Sequence, residues 1–361
     1  LRRGLLAVFL VAITAVAYLH QAEGASYPNI HALCPFGGLE SLYSFFTQGT
    51  LVSKIFSGTM ILFAVTLVLA LVFRRSFCGL LCPLGAIQEF IALAGEKIFG
   101  RSFRAPATVD MPLRYLKYVI LIVTVGYAWK TAGLWMAPYD PWSAYAHLSA
   151  GLEALWSEAP VGLGLLALTV VGSFFYNRIF CKYLCPMGAF YALIGKISPF
   201  KVERHEKHCI NCHRCTQDCP VDIDVSHGSA ITSAECINCQ TCVLVCPARG
   251  ALELKSGKRT IKPVVAILLV LALFFVPIFV TDSLGVYKVR SEKVKAGQTI
   301  NVSDVKGYMT IREAAEATEI ELNEFYRIFK IPRDIDGETK MKEIGGKVPG
   351  YDFHKIKDGV K

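Results

Sequence analysis

Long uncharged stretches alternate with polar, basic segments along this chain. A transmembrane helix needs about 20 mostly apolar residues. Five stretches meet this need once their flanks are counted: 4–19, 55–73, 111–136, 160–176 and 263–280. The pattern therefore predicts an α-helical membrane protein with about five transmembrane helices.

The first stretch has two readings. Arg2 and Arg3 precede its apolar run and small residues follow it at 22–25, which is also the pattern of a secretory signal. We expect a retained anchor, and cleavage would leave the remaining topology unchanged. Lysine and arginine concentrate in the segments that follow the second and fourth stretches. The positive-inside rule then places the N-terminus and the regions 74–117 and 178–262 in the cytoplasm, and the residues after about 281 outside.

The amino-acid composition excludes further classes of protein. The chain has 361 residues, of which 53% are hydrophobic and 19% charged, and it contains 13 cysteines. Soluble domains carry about 25% charged residues, and secreted disulfide scaffolds are short. The net charge of +9 marks the cytoplasmic face of a membrane protein, so we expect no nucleic-acid partner.

Two cysteine runs near the middle of the chain are the strongest chemical signal. Each has the spacing C-x-x-C-x-x-C-x-x-x-C-P, in which the fourth cysteine ligates the other cluster of a two-cluster ferredoxin. This predicts one [4Fe-4S] cluster on Cys209, Cys212, Cys215 and Cys246, and a second on Cys236, Cys239, Cys242 and Cys219. Zinc sites use paired C-x-x-C runs without the further cysteines, and cytoplasmic disulfides are rare.

A second repeat lies at the membrane edge. The sequence FCGLLCPLGA at 77–86 follows the second stretch, and FCKYLCPMGA at 180–189 follows the fourth. Each proline interrupts helical geometry after the second cysteine, and the new helix start presents N–H groups that favour an anionic site. We expect a pseudo-twofold site with one further iron–sulfur cluster, either [4Fe-4S] or [2Fe-2S]. Its ligands would be Cys78, Cys82, Cys181 and Cys185. Reduced structural cysteines and two separate metal sites are the alternatives.

The thirteenth cysteine, Cys34, begins a similar C-P-x-G-G sequence on the predicted outer side. A structural turn, a cofactor contact together with His31, and pairing with a partner protein all remain open for it. A quinone is a candidate ligand, and it would need a nearby proton acceptor. Side chains available for that role are Glu40, Asp140 and His147 outside, and Glu89 inside.

Together, these motifs resemble the NapH/NosR-type membrane polyferredoxins over roughly 34–280. NapH-type members serve as quinol dehydrogenase subunits, NosR-type members support nitrous oxide reductase, and other relatives assist oxidase maturation. The resemblance implies a subunit of a respiratory complex that relays electrons between its ferredoxin domain and the quinone pool or another redox partner. The chain lacks the large flavin domain of NosR-type members and adds a C-terminal extension, so partner and pathway stay open. A maturation factor or metal reductase and a non-catalytic membrane anchor are the alternatives.

The domain plan has four parts. Residues 1–199 form a membrane domain with four spans, 200–259 an α+β two-cluster ferredoxin domain, 260–281 the fifth span, and 282–361 a small extra-cytoplasmic docking domain. In the last part, a stranded segment is expected at 286–302. Two capping boxes, Thr310 with Glu313 and Thr318 with Glu321, predict two short helices that end before Pro332.

Overall fold

The chain is described here from a computed structural model. It covers residues 2–23, 27–28, 30–49, 51, 55–100, 103–131, 133–257, 259–289, 301–302, 305, 307, 309–341, 344–348, 351 and 356. Two compact units emerge. The first combines Leu1–Ala22 with Pro28–Arg290, and the second combines Glu23–Tyr27 with Ser291–Lys361.

Helices dominate the first unit. They are α1 (Arg2–Glu23), α2 (Pro35–Gln48), α3 (Ser57–Phe73), α4 (Ser76–Leu80), α5 (Pro83–Phe99), α6 (Ala107–Thr131), α7 (Pro141–Ala146), α8 (Leu152–Glu158), α9 (Pro160–Phe175), α10 (Ile179–Tyr183), α11 (Pro186–Ile194), α12 (Arg214–Gln217), α13 (Thr241–Leu244) and α14 (Pro263–Ser283). Each of the five predicted stretches overlaps one of these helices.

Two helices among the described residues, α1 and α14, are long and apolar enough to cross a membrane, and α3 and α9 are shorter apolar helices. The stretch predicted at 111–136 is displaced. Its helix, α6, begins at Ala107 and ends at Thr131, and residues 133–136 lie outside it. The helix continues through Pro112, which lacks the N–H that would donate to the carbonyl of residue 108.

A structural repeat organises the membrane part. In each half, a helix that starts with proline precedes an apolar helix, and a short helix with a second proline-started helix follows it. The halves are α2–α5 and α7–α11, where α8 is an addition to the second half. Their packing is crossed, because α5 packs against α9 and α11 packs against α3. The two halves therefore enclose one shared centre.

The ferredoxin domain follows α11 directly. Its antiparallel sheet contains β1 (Phe200–Arg204), β2 (Leu252–Ser256) and β3 (Arg259–Ile261) in that spatial order. Val202 lies opposite Leu254, and both are buried. The short helices α12 and α13 carry Cys215 and Cys242. The sheet thus joins the two ends of the cysteine-rich segment and holds both runs on one small core.

The second unit contains α15 (Ile311–Ala317), α16 (Leu322–Ile328) and α17 (Ile344–Lys347) around a core that includes Phe325 and Phe329. Helix α15 has the predicted capping box, in which Thr310 and Glu313 each accept a backbone N–H of the other. The second predicted box is wrong. Thr318 bonds back to the α15 carbonyls, so Glu321 occupies the N-cap position of α16 without a side-chain cap.

Of the predicted stranded segment 286–302, residues 290–300 lie outside the described residues. Residues 286–289 form no strand. The predicted end of the second helix before Pro332 agrees with the structure, since α16 ends at Ile328.

Candidate functional site

The eight cysteines of the ferredoxin domain gather in two sets of four. One pocket is lined by Cys209, Cys212, Cys215 and Cys246. Another is lined by Cys219, Cys236, Cys239 and Cys242. Each set takes three cysteines from one run and the fourth from the other, as the spacing predicts for a two-cluster ferredoxin. All thirteen cysteines of the chain are free of disulfides.

Left-handed backbone shapes both cysteine loops in the same way. Asn211 and His213 have φ of 53° and 56°, and Asn238 and Gln240, at the equivalent positions, have 48° and 63°. Few non-glycine residues adopt this conformation. Alternation of right- and left-handed residues turns successive N–H groups toward one concavity, which suits an anion. The loops are therefore shaped to enclose an anionic group.

The thiols of the second pocket are poor nucleophiles by themselves. Burial raises the pKa of Cys219 to about 12, and the neighbouring Cys239 and Cys236 add to the rise. Burial and four neighbouring cysteines likewise raise the pKa of Cys242. Such thiols become thiolates only when a bound cation compensates their charge. In the described part of the chain, no three His, Cys, Asp or Glu side chains converge on a single metal ion. Ligands of a cluster bind separate irons and do not need to converge in this way.

The two membrane-edge motifs adopt one local structure. Cys82 and Cys185 precede the prolines that start α5 and α11, with φ and ψ of −68° and 117° for Cys82 and of −70° and 110° for Cys185. In each motif, the backbone N–H of the second cysteine donates to the carbonyl of the preceding phenylalanine, Phe77 or Phe180, at 2.9 Å. The predicted helix break after the second cysteine is present in both halves.

A central cavity of about 300 Å³ lies beside these motifs. Its wall is mainly apolar and includes Cys34, Cys78, Cys82 and Cys185. Cys181 is not part of the wall; its buried sulfur accepts a hydrogen bond from Gln88 Nε2 at 3.1 Å. Cys181 nevertheless interacts electrostatically with the thiols of Cys78, Cys82 and Cys185. The structure therefore groups the four predicted cysteines, with three of them at the cavity.

Two buried arginines, which the sequence reasoning used only to assign topology, link the motifs. Arg178 Nη1 donates to the carbonyl of Cys78 at 2.6 Å, and Arg75 Nη2 donates to the carbonyl of Cys181 at 3.4 Å. Each arginine thus reaches across to the other half of the repeat. The signal was present in the sequence, because an R-x-x-C spacing precedes both motifs.

Positive charge exceeds carboxylate charge around this centre. Two buried carboxylates, Glu89 and Glu235, pair with more than two buried cations. These cations are Arg2 and Arg178 on Glu89, and Arg75 and Lys117 on Glu235. A buried charge without a counter-charge is strongly destabilising. Four thiolates with bound iron and sulfide carry net negative charge, so the residues present fit an anionic cluster at this position.

The ferredoxin domain lies directly against the first motif. A Cβ built on Gly79 would stand 2.5 Å from the carbonyl oxygen of Ile237 and 3.1 Å from Cys239 Cβ. Arg74 donates to three consecutive carbonyls of the domain, beginning with Ile231 at 2.7 Å. Cys239 of the second pocket is therefore in van der Waals range of the short helix that carries Cys78.

Cys34 has a counterpart that the sequence reasoning missed. Cys34 precedes Pro35 with φ −96° and ψ 116°, and Asp140 precedes Pro141 with φ −83° and ψ 117°. These two residues begin the equivalent helices α2 and α7, and both line the central cavity. The shared X-P pair was the available signal, but the change from cysteine to aspartate concealed it.

The candidate proton acceptors fall into different environments. Glu40, His31 and Asp140 line one small pocket with Cys34. The ring of His147 lies 6.1 Å from that of His31, and its Nδ1 shares a hydrogen bond with the Ser143 carbonyl. The predicted inner-side acceptor Glu89 is instead paired with Arg2 and Arg178, which leaves it unsuited to that role.

Comparison with known proteins agrees with this arrangement. A family model described as a 4Fe-4S binding domain matches residues 58–102 and again 158–205, so it matches once in each half of the repeat. A second model, for a 4Fe-4S dicluster domain, matches residues 201–247. The regulatory protein NosR of Pseudomonas aeruginosa is 29% identical over 41% of this chain and 20% of its own length. The ferredoxin-type protein NapH of Haemophilus influenzae is 25% identical over 43% of this chain and 51% of its own length.

The iron–sulfur part of the chain is similar to NapH/NosR-type polyferredoxins. YccM of Escherichia coli, whose name describes a proposed electron transport protein, is 30% identical over 55% of this chain. The match spans 55% of the length of YccM, so the chain covers about half of that relative. No solved structure matches the chain.

Proposed function

We propose that this chain is a NapH/NosR-type polyferredoxin that serves as a membrane-bound electron-transfer subunit. It would relay electrons through iron–sulfur clusters between its ferredoxin domain and the quinone pool or a redox partner in or beyond the membrane. The observation that carries the proposal is the contact of Cys239 with Gly79, which joins a ferredoxin pocket to the membrane-edge cysteines without intervening solvent.

Three clusters are assigned to named residues in this proposal. Two [4Fe-4S] clusters occupy the two four-cysteine pockets of the ferredoxin domain, and a third iron–sulfur cluster occupies the membrane-edge site. The third site takes Cys78, Cys82, Cys181 and Cys185. Bound iron–sulfur clusters supply one-electron transfer. The chain itself supplies thiolates, buried cations and a dry path between the sites.

The central cavity is the proposed quinone site. About 300 Å³ is at the lower end of the volumes that hold small organic ligands, and the wall is mainly apolar with a few polar groups, as such sites require. Asp140 lines both the cavity and the small pocket that contains Glu40. Burial raises the pKa of Asp140 to about 6 and that of Glu40 to about 7. Both carboxyl groups would accept a proton from a bound quinol near neutral pH.

Topology is the second part of the proposal. Five helices (α1, α3, α6, α9 and α14) would cross the cytoplasmic membrane. The N-terminus and the ferredoxin domain would lie inside, and the C-terminal unit would dock an extra-cytoplasmic partner. The placement of lysine and arginine supports this orientation. Reporter fusions after residue 200 and after residue 285 should give opposite sidedness, and equal sidedness would contradict it.

Iron analysis and quinol reduction test the relay. Two [4Fe-4S] clusters account for about eight irons per chain, so the wild type should contain more than about eight. Cys82→Ser or Cys185→Ser should return the content to about eight. A quinol analogue added to isolated membranes should reduce the clusters. A wild type with about eight irons that neither substitution lowers would reject the third cluster.

A regulatory or maturation role is the second candidate, and the name of the relative NosR favours it. The two functions differ in one measurement. Loaded clusters that a quinol analogue does not reduce, in cells where a partner enzyme fails to mature without this chain, would favour the regulatory role over the relay. Normal maturation together with unreduced clusters would favour a plain anchor.

A further inference from the structure

We propose that Arg75 and Arg178 form a cationic pair that stabilises the negative charge of the membrane-edge cluster and thereby sets its reduction potential. The inference rests on the proposed cluster at Cys78, Cys82, Cys181 and Cys185. It adds a role for two residues that bind no substrate and ligate no iron.

The pair obeys the symmetry of the repeat. Each arginine stands three residues before the first cysteine of its motif, and each donates to the carbonyl of the first cysteine in the other motif. Both side chains are fully buried, with 1% of Arg75 and none of Arg178 exposed. A purely structural ion pair would not need to be duplicated in this reciprocal form on both sides of one site.

Two glycines make room for the guanidinium groups. A Cβ on Gly85 would lie 2.9 Å from Arg178 Nη1, and a Cβ on Gly188 would lie 2.7 Å from Arg75 Nη2. These are the glycines of the two C-P-x-G sequences, one turn after Cys82 and Cys185. The glycine in each motif therefore places a guanidinium against the first turn of the helix that begins at a cysteine.

One N–H donor of each arginine makes no hydrogen bond among the described residues. The Nε–H of Arg75 and that of Arg178 are buried, and neither has an acceptor among the described residues. A buried donor without a partner is costly. Arg75 interacts electrostatically with the thiols of Cys78, Cys181 and Cys185, so the anion that these thiols would form with iron and sulfide lies in range as the acceptor.

Arg178 also relates the two neighbouring sites. Its charge acts on Cys181 of the membrane motif and on Cys239 of the ferredoxin domain. Reduction adds one negative charge to a cluster, and a fixed positive charge nearby favours the reduced form. Loss of either guanidinium should therefore make the membrane-edge cluster harder to reduce.

The test uses the full chain in detergent with all clusters loaded. Arg75→Gln and Arg178→Gln should each lower the ratio of reduced to oxidised cluster at fixed potential at least tenfold, or about 59 mV for a one-electron couple, in an EPR-monitored titration. Arg75→Lys, which keeps the charge, should shift the potential less. Lys117→Gln is the matched control, because Lys117 binds the same Glu235 as Arg75 but makes no described hydrogen bond to either motif.

Each outcome decides the proposal. An unchanged potential in a loaded Arg75→Gln protein, or an equal shift in Lys117→Gln, would overturn the pair. If the Gln variants lose the extra iron and Arg75→Lys retains it, charge is needed to hold the cluster and the pair is supported. Loss of iron in both Gln and Lys variants would indicate packing alone and overturn it. If the wild-type protein contained no third cluster, the proposed membrane-edge site itself would be wrong. Failure of the cluster site is therefore distinguishable from failure of the arginine pair.

Discussion

The contact at Gly79 allows the proposed relay to be tested by a substitution that adds a single methyl group. Gly79 lies in the short helix α4, next to Cys78, and faces the loop that contains Ile237 and Cys239. Gly79→Ala adds one Cβ at this contact. The substitution changes no charge, no ligand and no hydrogen-bonding group, so its effect reports on the fit between the membrane part and the ferredoxin domain.

The expected size follows from the geometry. The new Cβ would lie 2.5 Å from the Ile237 carbonyl oxygen, whereas ordinary contact begins at 3.4 Å, so the loop must retreat by about 1 Å. Overpacking of this kind costs about 1–3 kcal/mol. Alanine in place of glycine in a helix returns about 0.5–1 kcal/mol. We therefore expect a net loss of about 0–2.5 kcal/mol and a wider separation of Cys239 from α4.

Thermal unfolding of the purified chain measures the stability, and EPR of the reduced protein measures the magnetic coupling between the ferredoxin and membrane-edge clusters. Gly79→Ala should lower the thermal stability and weaken the magnetic coupling, while the iron content stays at the wild-type value. Gly164→Ala is the matched control, since a Cβ on this glycine of α9 meets nothing within 4 Å. Equal stability and equal coupling in Gly79→Ala would refute the close seating of the domain.

Four further predictions address other parts of the chain. Glu235→Gln breaks a buried ion-pair group and should cost about 3–5 kcal/mol in thermal unfolding. Cys246→Ser should remove the EPR signal of one ferredoxin cluster and leave the other, because Cys246 joins the pocket of Cys209. Partial burial would raise the pKa of Asp224, but hydrogen bonds from Ser226 and His227 lower it to about 2. Its contribution to stability should be full above the ordinary carboxyl range and fall as pH drops toward 2, and Asp224→Asn should flatten this acid limb. Thr310→Ala removes the cap of α15 and should destabilise the C-terminal unit by about 1 kcal/mol, seen as faster amide exchange.

These predictions have their own controls and contrary results. Glu253→Gln, in a more exposed pair, should cost much less than Glu235→Gln, and equal losses would argue against the buried group. If Cys246→Ser removed the signal assigned to the cluster of Cys236, the crossed ligand pattern would be wrong. An acid limb that Asp224→Asn leaves unchanged would exclude that carboxylate as its source. Loss of iron in Thr310→Ala would show that the cap acts beyond its own unit.

Local spacing predicted the ferredoxin pockets well because each set of cysteines is held by short loops and by a small sheet that the chain closes on itself. The crossed sharing of Cys219 and Cys246 follows from the same local rule. Helix positions were also predictable from apolar runs. The end of α6 was not predictable in this way, because the apolar residues 132–136 continue the stretch beyond Lys130 and Thr131. The capping signature at Thr318 predicted a helix start wrongly, because the Thr318 hydroxyl donates a hydrogen bond to carbonyls of the preceding helix instead.

The spacing of residues along the sequence could not predict which distant residues interact in the folded chain. The R-x-x-C spacing marks Arg75 and Arg178 as equivalent residues, but it does not indicate that each crosses to the other half of the repeat. Asp140 differs in chemistry from its counterpart Cys34. Comparing the two halves of the repeat by their cysteines alone therefore does not reveal the charged residues that surround the site. These pairings depend on packing α5 against α9 and α11 against α3, which only the folded chain specifies.

The repeat is also broken at the position of Glu89, and that break gives the ferredoxin domain a role in the membrane-edge site. Glu89 of α5 pairs with Arg178, but the equivalent residue of α11 is Ala192. The carboxylate that pairs with Arg75 comes instead from Glu235, the residue before Cys236. Docking of the ferredoxin domain thus gives Arg75 its carboxylate partner. A domain that detached would leave Arg75 buried without a carboxylate, so the proposed electron transfer between the two sites and the electrostatic stability of the membrane-edge site would depend on the same contact.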